Sequence, residues 1–476
     1  MSASVLTGKA VHPRPRAALG ADRRILGRDD RRDRGVRLAT GVLVWLSLLL
    51  VTYLWDAGGG ITDLADWASG MTSAGRLTGL WASDLLLIQV LLMARLPFLE
   101  HSFGRDELTR LHRLVGFSSF NLMLVHIAAI IVGYSSAQWS LVPSITWDLL
   151  LNYGGMLLAL AGTVSLVMVV VTSIKAARRK LKYESWHLIH LYAYLGVGLA
   201  LPHQLWTGRE FLNSSLATVY WWSLWAVTAG AVVGWRLVLP TVRSLRYDLR
   251  VVKVVREASD VVSVYLTGKR LGRLPMRSGQ FITVRFLNGR GWSRGNPYSL
   301  SAAPDGRSLR ITAKALGPGS TRLAALQPGT RVWFEGPYGR LTDRARTRRG
   351  VMLAGAGVGI TPLRSLAEGL SYAPGEAVLL QRYTDEPLFT RELDKLAARR
   401  GLRLVSLPGR RPRPESVLGP AVRGLDERTA LRQLVPDLAD RDVYLCGPKP
   451  WTEGFERLVL AAGVPRDRIH TESFGG

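Results

Sequence analysis

The sequence predicts three folded parts in one chain: a membrane all-α six-helix bundle, then an antiparallel β-barrel, then an α/β domain on a parallel sheet. Three observations carry this reading. Six stretches before residue 240 are long and apolar enough to span a bilayer. After Pro240 the pattern changes to short alternating runs such as LRVVKVV and VVSVYLTG, the period-two signature of strands. Residues 351–362, VMLAGAGVGITP, read as a buried strand, a glycine turn and a helix whose early Pro362 suits a first turn. The 476 residues leave room for about three domains. The expected boundaries are a basic disordered tail over 1–37, the membrane domain over 38–240, the barrel over 241–345 and the α/β domain over 346–476.

The six expected spans are 38–55, 77–94, 114–134, 149–174, 186–206 and 211–235. Only the second carries a charge, Asp84, expected to serve either a proton relay or a helix–helix hydrogen bond. No small-residue cleavage site closes the first stretch, so it reads as a retained helix rather than a signal peptide. Arg95, Arg105, Arg110 and Arg113 flank the second connection, and Lys175, Arg178, Arg179, Lys180 and Lys182 crowd the fourth. The odd-numbered connections offer only Arg76 and Arg209, which places both termini and the soluble parts on the cytoplasmic side of a bacterial plasma membrane. The net charge of +26 then meets anionic inner-leaflet lipid, and nucleic acid is not expected as a partner.

Cys446 is the sole cysteine, which excludes an intrachain disulfide and any cluster or zinc site of several thiolates. There is no C-x-x-C-H for covalent haem attachment. Histidine is the informative residue. His112 and His126 lie fourteen residues apart, His190 and His203 thirteen, so two helices offer imidazoles at matching depths, roughly 20 Å apart at 1.5 Å per residue. This is a geometry for two stacked b-type haems, with His112 and His190 as the inner pair and His126 and His203 as the outer. His187 fits this spacing less well and is expected to be structural or to support a ligand. Pro202 is expected to kink its helix and correct the angular mismatch of thirteen residues.

In the soluble part, Gly279–Phe281 leads a strand, followed by Asn296-Pro297-Tyr298-Ser299-Leu300-Ser301, then Lys314-Ala-Leu-Gly317-Pro-Gly-Ser320-Thr321 and Gly336-Pro-Tyr-Gly339. These suit a flavin: an aromatic face in Tyr298, a hydroxyl beside it in Ser299, and a Gly-rich helix start for a pyrophosphate. The glycine turn after 351–354 brings backbone N–H groups to a dinucleotide phosphate. VYLCGP, 443–448, is a further strand ending in Cys446, Gly447 and Pro448. Arg382 follows the strand AVLLQ, where a 2′-phosphate would be read, and Arg410 and Arg411 follow LRLVSL, which favours NADPH over NADH.

PYSLS, GAGVGITP, CGP and a near-terminal aromatic, in this order, resemble the ferredoxin-NADP reductase superfamily. Placed behind six helices with paired histidines, the whole resembles the ferric reductase and NADPH oxidase family over about 38–476. The resemblance implies a haem-binding membrane domain, an FAD barrel and an NAD(P) domain. It also implies electron flow from nicotinamide to FAD, to the inner haem, to the outer haem and to a small extracytoplasmic acceptor. It gives Tyr298 and Ser299 to the flavin, Gly317, Ser320 and Thr321 to its phosphates, and Gly355, Gly357, Gly359 and Thr361 to the nicotinamide dinucleotide. Cys446 would neighbour the nicotinamide, and Phe474 would cover the flavin. One departure is Asn296, where relatives carry Arg or His; Arg294 is expected to supply the phosphate contact. The terminal acceptor is a ferric chelate, a quinone or oxygen. Ile130, four residues past His126, tilts the reading away from superoxide production, since oxygen-reducing relatives often carry a polar group there. A membrane-tethered flavin reductase, or a haem sensor, would use the same parts with structural histidines.

Overall fold

The computed structural model describes residues 28–136, 138–181, 183–208, 214–289, 292, 294–413, 415–422 and 424–474. Most of the expected basic tail, Arg209 and the start of the sixth expected span therefore lie outside the described residues. The chain forms two compact units. One holds Val36–Leu99 and Arg105–Arg236; the other holds Glu100–Gly104 and Leu237 onward, with the segment before Val36.

The first unit is helical: α1 (Arg28–Ala57), α2 (Trp67–Leu92), α3 (Pro97–Phe103), α4 (Arg105–Tyr134), α5 (Val142–Asn152), α6 (Met156–Ser173), α7 (Lys175–Lys180), α8 (Tyr183–Thr207) and α9 (Ser215–Ala231) succeed one another along the chain. A π-helical turn, Val232–Val238, leads into α10 (Leu239–Tyr247). Five helices among the described residues are long and apolar enough to cross a membrane: Arg31–Ala57, Trp67–Leu92, Arg105–Tyr134, Met156–Ser173 and Ser215–Tyr247. Six were expected. The remaining one, α8, has 25 residues, which is ample length, but its histidines, Gln204 and Pro202 dilute its apolar character.

Several boundaries differ from expectation for identifiable reasons. Residues 31–37, expected in the disordered tail, are helix. The second span starts ten residues early, because the Asp66 carboxylate accepts the Ala68 and Ser69 N–H groups and caps α2 at Trp67. The stretch 149–174 is not one helix. It breaks between α5 and α6, where Gly155 takes φ 79°, a conformation that glycine alone adopts freely.

Small residues let these helices touch. A Cβ on Gly162 of α6 would stand 2.8 Å from the Gly196 carbonyl of α8, and one on Gly196 3.0 Å from the Gly162 carbonyl. Asp84, fully buried, accepts from Tyr220 Oη at 2.5 Å and Ser47 Oγ at 2.8 Å, so its carboxylate ties α2 to α9 and α1. Of the two roles expected for Asp84, the observed contacts are those of the helix–helix hydrogen bond.

The second unit contains two sheets. The first is antiparallel, in the order β4–β3–β6–β1–β2–β5, from β1 (Leu249–Ala258), β2 (Val261–Thr267), β3 (Phe281–Phe286), β4 (Asn296–Ser299), β5 (Ser308–Lys314) and β6 (Arg331–Tyr338). A single bridge between Leu300 and Ile311 joins the two ends of that order. Ile282, Val284, Leu300, Ile311 and Phe334 fill its interior. The second sheet is parallel, in the order β11–β10–β7–β8–β9, from β7 (Val351–Ala356), β8 (Ala377–Arg382), β9 (Arg403–Leu407), β10 (Asp442–Pro448) and β11 (Ile469–Phe474). Connections run one way from β7 through β8 to β9, and the other way through β10 to β11. The strand order therefore reverses between β7 and β10, the place where sheets of this kind take ligands at the carboxyl ends of their strands.

Candidate functional site

Two of the four histidines, His112 on α4 and His190 on α8, meet ring to ring. On α4, His112 Nδ1 lies 3.2 Å from the Gln89 carbonyl and His126 Nδ1 lies 2.7 Å from the Gly75 carbonyl, both on α2. A carbonyl only accepts, so each Nδ1 is the donor and carries the ring proton. This tautomer leaves each Nε2 lone pair free, which is the arrangement of a metal-binding imidazole oriented by its second nitrogen. The acceptors are spaced fourteen residues apart on α2, as the histidines are on the antiparallel α4, so both levels share one register.

Glycines clear the space. A Cβ on Gly79 would lie 2.5 Å from His126 Nδ1, and one on Gly116 would lie 2.4 Å from Gln89 Oε1. On the facing side, a Cβ on Gly155 would lie 2.6 Å from the His203 backbone nitrogen, so the break between α5 and α6 lets the chain press against α8 at His203.

His112 and His190 rings stand with centroids 6.1 Å apart at 67°. With metal–imidazole bonds of about 2.0–2.1 Å and each ring nitrogen about 1.1 Å from its centroid, two imidazoles on one metal have centroids about 6.3 Å apart. The inner pair fits that separation. His190 is set by Ser173, whose Oγ lies 3.4 Å from Nδ1 and also accepts from Trp186 Nε1 at 3.2 Å, and by the Trp186 ring at 5.0 Å. Arg178 lies over Trp186 at 4.4 Å. His203 Nδ1 is buried without a partner in hydrogen-bond geometry, and His126 is close enough to act on His203 electrostatically. His187 is exposed. Among the described residues no three His, Cys, Asp or Glu side chains converge.

In the antiparallel sheet, β4 delivers the PYS triplet. Tyr298 packs against the sheet's core, and burial pushes its hydroxyl up to about 12. Ser299 Oγ is buried and meets no partner, an orphaned polar atom of the kind a bound ligand satisfies. Asn296 sits against the Gly317–Thr321 turn: a Cβ on Gly319 would stand 2.9 Å from its Nδ2. Ser320 Oγ accepts the Leu316 and Gly317 N–H groups and Thr321 Oγ1 donates to the Gly317 carbonyl, so both hydroxyls shape the turn itself. Arg294 and Pro297 are exposed, and Lys314 pairs with Asp260 at 3.1 Å.

Two expected flavin contacts lie elsewhere. Leu300 is wholly inside the sheet's core, and the Ser301 side chain is taken up by Arg310 and Thr312 at 3.0 and 2.7 Å. The alternation of a strand explains Leu300, which points to the face opposite Ser299, whereas Ser301 is taken by hydrogen-bond partners on β5.

At the reversal between β7 and β10, the two motifs meet. A Cβ on Gly359 would stand 2.2 Å from the Cys446 carbonyl, so the glycine turn after β7 lies flat on the end of β10, with Gly357 at φ 55°. A Cβ on Gly355 would stand 3.1 Å from the Ile360 backbone, and Thr361 Oγ1 donates to the Val358 carbonyl at 2.6 Å. Gly447 and Pro448 continue past Cys446, with Pro448 exposed. Cys446 was expected to act beside the nicotinamide. Its side chain is completely enclosed, and burial, reinforced by Glu472, pushes its thiol well above the ordinary range. It is a neutral packing residue. Phe474 closes β11 opposite Pro448, and its side chain lies outside the described residues.

Arg382 is also not where a phosphate would be read. It is 5% exposed and donates to the Tyr383 and Leu407 carbonyls, the latter at 3.0 Å, and burial with Arg411 nearby holds its guanidinium below the ordinary value. Arg410 and Arg411 are exposed beyond β9.

Residues 78–201, from α2 into α8, match the family described as ferric reductase like transmembrane component. The ferredoxin reductase component of 3-ketosteroid-9-alpha-monooxygenase from Mycolicibacterium smegmatis is 31% identical over 239 residues, covering 48% of this chain and 65% of that protein. The flavohemoprotein of Chromobacterium violaceum is 30% identical, covering 48% and 60%, and the glycine betaine monooxygenase reductase subunit of Chromohalobacter salexigens 27%, covering 48% and 64%. The chain thus spans less than two thirds of the length of these relatives.

Proposed function

We propose, for a chain that joins a ferric reductase like transmembrane component to a ferredoxin-reductase-like module, that it is a membrane oxidoreductase passing electrons from cytoplasmic NAD(P)H to an extracytoplasmic acceptor. FAD in the β-barrel would take a hydride from the nicotinamide and release single electrons, and two b-type haems would carry them across the membrane one at a time. The remaining work belongs to the chain. His112 with His190 holds the inner haem and His126 with His203 the outer, and Gln89 and Gly75 fix the two α4 rings. Levels fourteen residues apart are about 21 Å apart along a helix, most of the hydrocarbon thickness.

Tyr298 offers its ring to the isoalloxazine and Ser299 its unmatched hydroxyl to the flavin edge. Asn296 with the Gly317–Thr321 turn, and the nearby Arg294, receive the pyrophosphate. Gly355, Gly357 and Gly359 open the crevice at the strand reversal, where the nicotinamide dinucleotide lies with its phosphates toward the start of α12 (Ile360–Gly369). Arg410 and Arg411 read a 2′-phosphate, which makes NADPH the donor and NADH the weaker alternative.

The observation that carries this reading is the His112–His190 pair, whose rings, 6.1 Å apart between centroids, would hold one haem iron between them. As acceptor we favour a small ferric chelate over oxygen. Ile130, one turn beyond His126, lies so near Gly75 that a Cβ there would stand 3.0 Å from its Cδ1, and it presents no polar group. The test is stopped-flow reduction by NADPH in sealed vesicles, with ferric citrate or oxygen supplied outside. Rapid reoxidation by ferric citrate supports the proposal, and reoxidation by oxygen alone replaces the acceptor.

A further inference from the structure

The parallel-sheet domain reaches the segment after Ser299 through Arg364, Ser365 and Glu368, and one further carboxylate joins two of the arginines involved. Glu392, on α13 (Thr390–Arg400), receives both terminal nitrogens of Arg310, at 2.7 and 2.9 Å, and a nitrogen of Arg364 at 2.7 Å. Arg310 comes from β5 of the antiparallel sheet and Arg364 from α12, the helix that leaves the glycine turn. Both guanidinium groups are nearly closed off from solvent, 4% and 8% exposed. Both then donate to the Ser301 carbonyl, at 2.7 and 2.9 Å, and Arg310 Nε adds the Ser301 hydroxyl at 3.0 Å.

Three elements therefore converge on a backbone atom two residues from Ser299, while Leu300 between them is locked in the core. Two buried cations held by Glu392, with Glu368 on Arg364 alone, are an arrangement that tolerates no missing partner. A serine hydroxyl aimed at a reacting edge needs this kind of support, because small displacements are costly in rate.

We propose that Glu392 is a positioning residue: through Arg310 and Arg364 it fixes the 299–301 segment, so that docking of the nicotinamide domain sets the place of the Ser299 hydroxyl. The proposal rests on the flavin reading of Ser299. The test compares Glu392→Gln, Glu392→Asp and Ser299→Ala in the full-length flavin-loaded protein. Three quantities are read: anaerobic single-turnover flavin reduction by NADPH, flavin dissociation constant, and amide hydrogen exchange over 299–303.

Glu392→Gln is expected to slow flavin reduction about tenfold and speed exchange over 299–303, with KM for NADPH little changed. Glu392→Asp should fall between it and the parent, and decides the matter if the Gln variant does not fold. Ser299→Ala should slow reduction with exchange unchanged. If Ser299→Ala slows reduction while the foldable Glu392 variants alter neither rate nor exchange, the positioning role is wrong. If Ser299→Ala leaves reduction unchanged, the flavin reading of Ser299 fails and the proposal falls with it.

Discussion

Gly79 lies so close to His126 that a Cβ would stand 2.5 Å from the ring's Nδ1, the atom that donates to the Gly75 carbonyl at 2.7 Å. The two glycines of α2 thus do different things for one imidazole: one vacates space and the other supplies the acceptor. Replacing Gly79 with Ala should push the ring off its acceptor and lower outer-haem occupancy, taking the purified protein from two haems per chain toward one. Pyridine haemochromogen assay against protein concentration measures this, and unchanged stoichiometry would argue against an oriented ligand at His126.

Ser299→Ala removes a hydroxyl that nothing in the protein satisfies. Flavin should still bind, since its phosphate contacts are elsewhere. Reduction by NADPH should slow by about 10²–10³, the usual loss for one donor at a reacting centre. Rapid-scan absorbance of the flavin bands reads the rate directly.

The Cys446 thiol should not react. Enclosed and held neutral, it should resist iodoacetamide in the native protein at pH 8 and label readily once unfolded. Cys446→Ala should lower the melting temperature and leave turnover within a few-fold. A fast-labelling native thiol would contradict the packing assignment.

The Glu392 clamp carries a pH signature. Burial raises this carboxyl, but the hydrogen bond from Arg310 and the charges of Arg364 and Arg310 outweigh it and leave the group below its ordinary value of 4.5. A carboxylate depressed on folding stabilises above its unfolded value and ceases to do so as pH falls through the folded one. The difference in melting temperature between parent and Glu392→Gln should therefore be constant from pH 8 to about 5 and shrink only below its ordinary range, about 4.3–4.5. A difference that vanishes near neutrality would contradict the clamp.

Arg410→Ala with Arg411→Ala should raise KM for NADPH about tenfold or more, as loss of a charge-assisted phosphate contact does, and leave KM for NADH nearly unchanged. Arg382→Ala, whose guanidinium serves the Tyr383 and Leu407 carbonyls, should instead lower stability and affect both nucleotides alike. Steady-state kinetics with both donors separates the two.

Much of this architecture was readable from periodicity and punctuation. Apolar stretches and alternating runs located the helical and strand regions, and the spacing of the histidines set His112 opposite His190, whose rings are found 6.1 Å apart. The break at Gly155 was missed because 149–174 carries no charge and glycine is frequent in membrane helices, although Asn152 and the Gly154–Gly155 pair mark it in the sequence. The Nδ1 acceptors are backbone carbonyls, which every residue has, so Gln89 and Gly75 leave no mark in sequence. Cys446 and Arg382 sat in the expected motifs, but a one-residue alternation of facing decides whether a strand's side chain meets ligand or core. Arg310 and Glu392, 82 residues apart on different elements, carry no local pattern that would pair them.

Anaerobic addition of NADPH to the purified, flavin-loaded protein, followed by absorbance, tests the central claim most directly. The account predicts the sharp spectrum of low-spin bis-imidazole b-type haem, reduced by NADPH, with that reduction lost in His112→Ala and His190→Ala. A protein purified with its flavin but without haem, or reduction that persists unchanged in both variants, would contradict it.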